Sequence, residues 1–327
     1  MALIVSPNLT VDRTVRIERL QPGAVLRPER AAVTAGSKGV NVARVLAALG
    51  RPAQLVGFLP DVDRPLIERL FGREPLELIG VEVAGELRVA TIYLEHDGRV
   101  TVLNEPGPDI DAAGWGRLED TVQEALNRRG TSLLACSGSL PPGAPVDAYG
   151  RLVLLAHRAG TAVTVDAARQ VLAATLPHGP DLVAPNLAEA EEALGWSQGE
   201  AVDERGPDVP ARAARAAGAL VRAGARAAVV TAGASGAVCA TPQGATFFPG
   251  VPIEVVNPIG AGDSFVAGHA AASERGEDLL TAVASGLGAA TASCEHPLAG
   301  GIDPGRAREL TGQIAAGRRP IDPEVAR

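Results

Sequence analysis

The chain has 327 residues, 46% apolar but only 3% aromatic, so it can bury a large core packed by Ala, Val and Leu as one big α/β domain or two smaller ones. A formal net charge of −8 with no offsetting basic run excludes nucleic acid as a partner. No apolar run approaches the roughly 18 residues of a membrane span, and Met1-Ala-Leu-Ile-Val-Ser-Pro7 lacks the features of a signal peptide, so a cytoplasmic protein with no membrane partner is expected.

Ala2-Leu-Ile-Val5 reads as a first buried strand ending at Ser6-Pro7-Asn8. Ligands of open α/β sheets collect at the carboxyl edge of the strands, which makes Asp12 either a turn aspartate or an acceptor for substrate hydroxyls. Thr14 to Thr34 alternates irregularly and suits two exposed strands. Leu87 to Leu103 reads as a hairpin turned at Asp97-Gly98. These two pieces, together about 12–35 and 87–104, interrupt the strand-helix alternation and suggest a small sheet standing off the main domain as a lid.

Between them, Val40 to Leu49 has helical spacing and follows the loop Ala35-Gly-Ser-Lys-Gly-Val-Asn41. Lys38 is the only lysine of the chain; every other basic residue is arginine. A compact point charge kept in one loop suggests a task that a planar guanidinium does not serve. A strand near Leu55–Phe58, a helix near Pro65–Phe71 and an exit turn at Asn104–Pro108 follow.

From Trp115 the alternation becomes regular. Helices are expected to Arg128 and over 146–158, 187–194 and 211–223, and strands over 132–136, 162–166, 181–184 and 227–231, with a polar stretch at 197–210. This pattern implies a parallel sheet covered on both faces. Ser137-Gly-Ser139, Asp166, Pro185-Asn186 with Glu189, and Thr231-Ala-Gly233 with Gly236 then all fall at strand ends along one edge.

The stretch from Val255 to Gly268 carries the chemistry. Ile253 to Val256 reads as a strand, Asn257-Pro258 breaks it, and Gly260-Ala261-Gly262 opens a helix running to about Ser273 with Asp263 in its first turn. Bare amides at a helix start bind anions, and a first-turn carboxylate is a candidate general base. Phosphoryl transfer to a hydroxyl needs both. Competing motifs fail: Gly195-Trp-Ser-Gln-Gly199 does not join a strand to a helix, and there is no P-loop, no G-x-G-x-x-G after the first strand and no H-E-x-x-H. Cys136, Cys239 and Cys294 are odd in number and lack C-x-x-C spacing, which argues against disulfides and zinc.

These residues resemble the ribokinase-like (PfkB-type) sugar kinases, in the branch of 1-phosphofructokinase and tagatose-6-phosphate kinase, through nearly the whole chain. Asn257-Pro-Ile-Gly-Ala-Gly-Asp-Ser264 resembles the family's C-terminal motif, which implies Asp263 as the base and the Gly260–Asp263 backbone as the anion hole. Gly36-Ser-Lys-Gly-Val-Asn-Val-Ala43 is similar to G-G-K-G-x-N-x-A, implying that Lys38, Gly39 and Asn41 hold the sugar. Ser37 replaces a usual glycine, so the loop is strained if that position needs a positive φ. Pro185-Asn-Leu-Ala-Glu189 resembles P-N-x-x-E, with Asn186 on the nucleotide side and Glu189 arranging Mg2+ through water. Thr231-Ala-Gly233 and Gly236 resemble the nucleotide loop.

The resemblance further implies a three-layer α/β/α fold with a mostly parallel sheet, one ribokinase-like domain over 1–327 with the β lid inserted, ATP and Mg2+ as cosubstrate and cofactor, and a homodimer through the lid. The branch is indicated by Lys38, Arg88 and Ser137-Gly-Ser139, with Arg88 on the substrate phosphate and Arg27 as a further candidate. The expected reaction is transfer to a ketohexose phosphate: fructose 1-phosphate, tagatose 6-phosphate or fructose 6-phosphate. A kinase of an unphosphorylated sugar or nucleoside, and a non-catalytic ligand-binding regulator, are the alternatives; a regulator has no need of Asp263.

Overall fold

Four consecutive buried residues, Ala2–Val5, form the interior strand β1 of the computed structural model, which describes residues 1–28, 30–128, 130–197 and 206–322. Its neighbours are β4 (Ala53–Pro60) and β8 (Leu133–Ser137), both parallel to it, with Ile4 opposite Leu55 and Ala135. The sheet continues in parallel through β9 (Ala162–Asp166), β10 (Leu182–Val183) and β11 (Ala228–Thr231) on one side, and ends at β5 (Glu77–Val83) on the other. Beyond β11 three antiparallel strands, β12 (Gly236–Thr241), β13 (Gly244–Pro249) and β14 (Arg319–Ile321), complete ten strands in the order β14-β13-β12-β11-β10-β9-β8-β1-β4-β5.

Side chains alternate between the two faces, as the strand period requires. Leu3, Val5, Leu134 and Val163 pack with α3 (Ala112–Asn127), α4 (Ala148–Arg158), α5 (Arg169–Thr175), α6 (Leu187–Ala193) and α7 (Val209–Arg222). Ala2, Ile4, Leu55 and Ala135 pack with α1 (Lys38–Ala48), α2 (Arg64–Phe71), α8 (Ala261–Glu274), α9 (Leu279–Cys294) and α10 (Pro304–Gly317). The result is the three-layer arrangement expected from the alternation.

A separate four-stranded sheet has the order β3-β2-β6-β7, from β2 (Thr10–Ile17), β3 (Arg30–Gly36), β6 (Arg88–Glu95) and β7 (Val100–Asn104). Its first strand starts at Thr10, so Asp12 lies inside this sheet, paired with Ala90, and not in a turn.

Two expectations need correction. Ile253–Val256 is not a strand: Pro252 supplies no amide, Val255 and Val256 are exposed, and the Val256 and Asn257 amides donate to the Cys294 carbonyl at 2.8 and 3.0 Å. The polar stretch at 197–210 begins α7 at Val209, and its residues 198–205 lie outside the described residues.

Candidate active site

Gly260 ends the turn before α8 in the left-handed conformation (φ 87°), and a Cβ there would stand 3.2 Å from the Gly300 amide nitrogen. Only glycine fills this position without strain. The helix then begins with Ala261, Gly262 and Asp263, whose amides an α-helix leaves without an intrahelical acceptor. Nothing stands within 4 Å of the space beside the Gly262 Cα, so the backbone is open to a ligand there.

The Asp263 carboxylate is 4% exposed. Asn41 Nδ2 donates to its Oδ2 at 2.8 Å, and Asn41 Oδ1 accepts from Arg44 Nη1 at 3.1 Å. Arg44 is itself held by two bonds to Glu74, at 2.6 and 2.8 Å. The chain of contacts fixes which end of the Asn41 amide faces the carboxylate. Burial raises the Asp263 pKa to about 7; Lys38 and the Asn41 bond oppose the rise, and Asp166 and Asp12 add to it. A carboxylate poised near neutrality suits proton abstraction.

Lys38, the first residue of α1, donates to both carboxylate oxygens of Asp166 at 3.0 and 3.1 Å. Burial disfavours the Lys38 charge, but Asp166, Asp263 and Glu189 outweigh it and hold the ammonium firmly protonated. Asp166 is buried at the end of β9 and also accepts from Ser137 Oγ at 3.3 Å. Immediately before Lys38, Ser37 has φ 121° and ψ 158°, so the glycine-like conformation is present with a serine in it. Its side chain accepts from the Val40 amide at 3.4 Å. Gly39 faces the sheet: a Cβ would lie 2.6 Å from Ser6 Cβ and 2.7 Å from Leu55 Cδ1, so its missing side chain lets α1 seat on β1 and β4.

The small sheet adds charges above this group. Thr10 pairs with Arg88 in register, and Arg88 Nε donates to Thr10 Oγ1 at 2.7 Å. Burial raises the Asp12 pKa to about 6, against the lowering effect of Arg44 and Arg88. Gly36 leaves the space that the Asp12 carboxylate occupies. Arg27 is exposed; the second guanidinium acting on Asp12 is that of Arg44. Ser139 Oγ accepts from Asn8 Nδ2 at 3.3 Å, and Tyr149, wholly buried, donates its hydroxyl to the Gly138 carbonyl at 3.0 Å.

On the other side of Asp263, Thr231, Gly233 and Gly236 line one cavity of about 290 Å3 together with Ala261 and Gly262. Asn186 forms an isolated bridge with Thr231 and caps α6 reciprocally with Glu189, at 2.8 and 3.0 Å. Lys38, Ser139 and Glu189 line a broader cleft of about 900 Å3. Burial raises the Glu189 pKa, countered by Lys38 and reinforced by Asp166. Among the described residues no three His, Cys, Asp or Glu side chains gather as a metal cluster. Glu192 lines the same cleft but accepts from Arg169 Nε at 3.0 Å; Glu189 fits Mg2+, which is commonly held by one or two carboxylates with phosphate oxygens and water.

The residues singled out in sequence thus fall around one sheet edge. Sequence reasoning left Arg44, Glu74 and Tyr149 without a role, and gave Asp166 a place on that edge but no partner.

Residues 3–304 match the model of the pfkB family carbohydrate kinases. The chain belongs to this family. The carbohydrate kinase is 35% identical over 279 residues to a 1-phosphofructokinase of Rhodobacter capsulatus, covering 84% of each chain. It is 34% identical over 295 residues to a 1-phosphofructokinase of Haloferax volcanii, covering 90% of each. Among solved structures, phosphofructokinase-2 from Escherichia coli in complex with potassium superposes with a TM-score of 0.84 at 23% identity, over 96% of this chain and 98% of that one. The kinase has the ribokinase-like fold, and no helix of the described residues is long and apolar enough to cross a membrane.

Proposed function

We propose that this carbohydrate kinase transfers the γ-phosphoryl group of ATP to a hydroxyl of a ketohexose phosphate, with fructose 1-phosphate as the preferred acceptor over tagatose 6-phosphate and fructose 6-phosphate, giving a bisphosphate. The observation that carries the reading is Asp263, a buried carboxylate with its pKa raised to about 7, held by Asn41 in the first turn of a glycine-opened helix. The acceptor is supported by Arg88, a half-buried guanidinium beside Asp12, and by the names of the two relatives.

In this reading Asp263 takes the proton of the acceptor hydroxyl as the oxygen attacks. The amides at Gly262 and Asp263, with Lys38, receive the charge that develops on the transferring group. Asp12 orients the sugar hydroxyls and Arg88 holds the phosphate it already carries. Glu189 would hold Mg2+ through water, and the ion supplies neutralisation of the ATP phosphates. Asn41, through Arg44 and Glu74, keeps the base aligned. The small sheet acts as a lid over one domain, and its exposed apolar residues, among them Val33, Val102 and Leu103, form a homodimer contact in a cytoplasmic enzyme.

A coupled ADP-release assay over fructose 1-phosphate, tagatose 6-phosphate, fructose 6-phosphate, free sugars and nucleosides tests this. The highest kcat/KM is expected with fructose 1-phosphate. Turnover confined to unphosphorylated acceptors would contradict the phosphosugar reading, and no turnover with any acceptor would contradict the kinase reading.

A further inference from the structure

We propose that Arg169 is a further donor-binding residue, which grips the β- and γ-phosphates of the nucleotide in the cleft of about 900 Å3 that it lines together with Lys38. The inference rests on the kinase reading above and concerns only its donor side.

Arg169 stands three residues beyond Asp166, where the chain has left β9 and opens α5. Its φ is 57°, and among the described residues the only other non-glycine in the left-handed region is Ser37. Glycine adopts this conformation freely, whereas a residue with a Cβ gains nothing from it. Ser37 uses its place to cap α1; Arg169 uses its own to put a guanidinium into the cleft. A backbone outlier of this kind, in a cleft, points to a task for the side chain.

The side chain is 69% exposed and is tied down at one atom, Nε, which donates to Glu192 Oε2 at 3.0 Å. Neither Nη atom has an acceptor among the described residues, so the terminal N–H groups of the fork are left for a ligand. Glu192 follows Glu189 by three residues on α6. The Arg169 charge is also felt at Glu189, where burial raises the pKa and Lys38 and Arg169 oppose the rise.

The charged side chains lining the cleft are Lys38, Arg169, Glu189 and Glu192. Lys38 already meets both carboxylate oxygens of Asp166, which makes Arg169 the cation of the cleft with donors to offer. The strand order fixes which anion it meets. Thr231 ends β11 on the nucleotide side, Asn186 and Glu189 follow β10, Asp166 and Arg169 belong to the end of β9, and Ser139, bonded to Asn8, follows β8 on the acceptor side. A guanidinium beyond β9 therefore stands between nucleotide and sugar, where the polyphosphate chain must lie. Its planar fork matches two phosphate oxygens, as the Lys38 point charge does not.

The full chain is titrated calorimetrically with ATP, ADP and AMP in the presence of Mg2+, as wild type, Arg169→Gly and Arg169→Lys. Glycine suits the left-handed backbone, so Arg169→Gly is expected to keep a denaturation midpoint no lower than wild type while it binds ATP roughly 10- to 150-fold more weakly. AMP lacks the β- and γ-phosphates and is expected to bind all three proteins alike. Arg169→Lys, with the same backbone, recovers part of the ATP affinity because it keeps the charge without the fork. Unchanged ATP affinity in Arg169→Gly, with or without a lower midpoint, would leave Arg169 only a latch between α5 and α6 and overturn the proposal. An equal loss for AMP would place the contact elsewhere on the nucleotide and overturn it too. So would a raised KM for fructose 1-phosphate at unchanged ATP affinity, which would assign Arg169 to the acceptor. The titrations contain no acceptor, so they are read whether or not the phosphosugar assignment holds; a wild type that binds no ATP would sink the kinase reading and this proposal together.

Discussion

Substitution of Arg88 is the test that separates the substrate classes. If the acceptor carries a phosphate, Arg88→Ala removes a charge-assisted contact made alike in the ground and transition states, so KM rises and kcat changes less. A hydrogen bond to a charged group contributes about 1.5–3 kcal/mol, or roughly 10- to 150-fold in KM. Arg88→Lys restores part of the loss, because a point charge does not reproduce the fork. A phosphosugar KM within about twofold of wild type would refute the role. Arg88 was legible because it opens a hairpin at the matching place, and Lys38 because it is the only lysine. Arg44 was not: nothing in its immediate sequence distinguishes it from the other arginines, and its importance comes from a bond to Asn41, three residues earlier, and an ion pair with Glu74. The Lys38–Asp166 pair spans 128 residues, so only the assembled sheet brings it together.

At the scale of elements, α1 begins with stored strain. Ser37 occupies a backbone region that is almost confined to glycine, at a cost of about 1–3 kcal/mol, while its side chain caps the helix. Glycine loses only a few tenths of a kcal/mol as a cap, so Ser37→Gly is expected to raise stability by about 1 kcal/mol and Ser37→Ala to lower it. Equilibrium denaturation of both variants checks this, and a Ser37→Gly protein less stable than wild type would contradict it. Helix α8 carries a different liability. His269 is 5% exposed and burial lowers its pKa from 6.5 to about 4. The unfolded chain therefore binds the proton first, and stability is lost as pH falls from about 6.5 towards 4. At pH 5 the loss from this group is about 2 kcal/mol. Unfolding midpoints at pH 7.5 and 5 should diverge less in His269→Leu than in wild type; an equal divergence would exclude His269 as the cause. Seven of the helices were readable from their spacing or start signals, as at Val40–Leu49, whereas α5, α9 and α10 were not expected. Strand β5 was missed because its residues are largely half-exposed without clean alternation, and Ile253–Val256 was misread because a β-branched run does not disclose that it has no sheet partner.

For the whole molecule, the alternation of strands and helices revealed the parallel sheet and the edge that carries the candidate site, since parallel strands must present their carboxyl ends together. It did not disclose the antiparallel β12–β14 extension, whose pairing with a strand at the C-terminal side is set by distant contacts. The small sheet leaves Val33, Val102 and Leu103 between 41 and 58% exposed on its outer strands, so a dimer at micromolar concentration is expected by light scattering. A monomer there would contradict the proposed contact. The central claim is that this edge assembles a base against a phosphosugar hydroxyl, and steady-state phosphorylation of fructose 1-phosphate by Asp263→Asn tests it most directly. We predict that kcat falls by roughly 10²–10⁴ while nucleotide and sugar phosphate still bind, the loss expected when a general base is removed. Turnover near the wild-type rate would contradict the account.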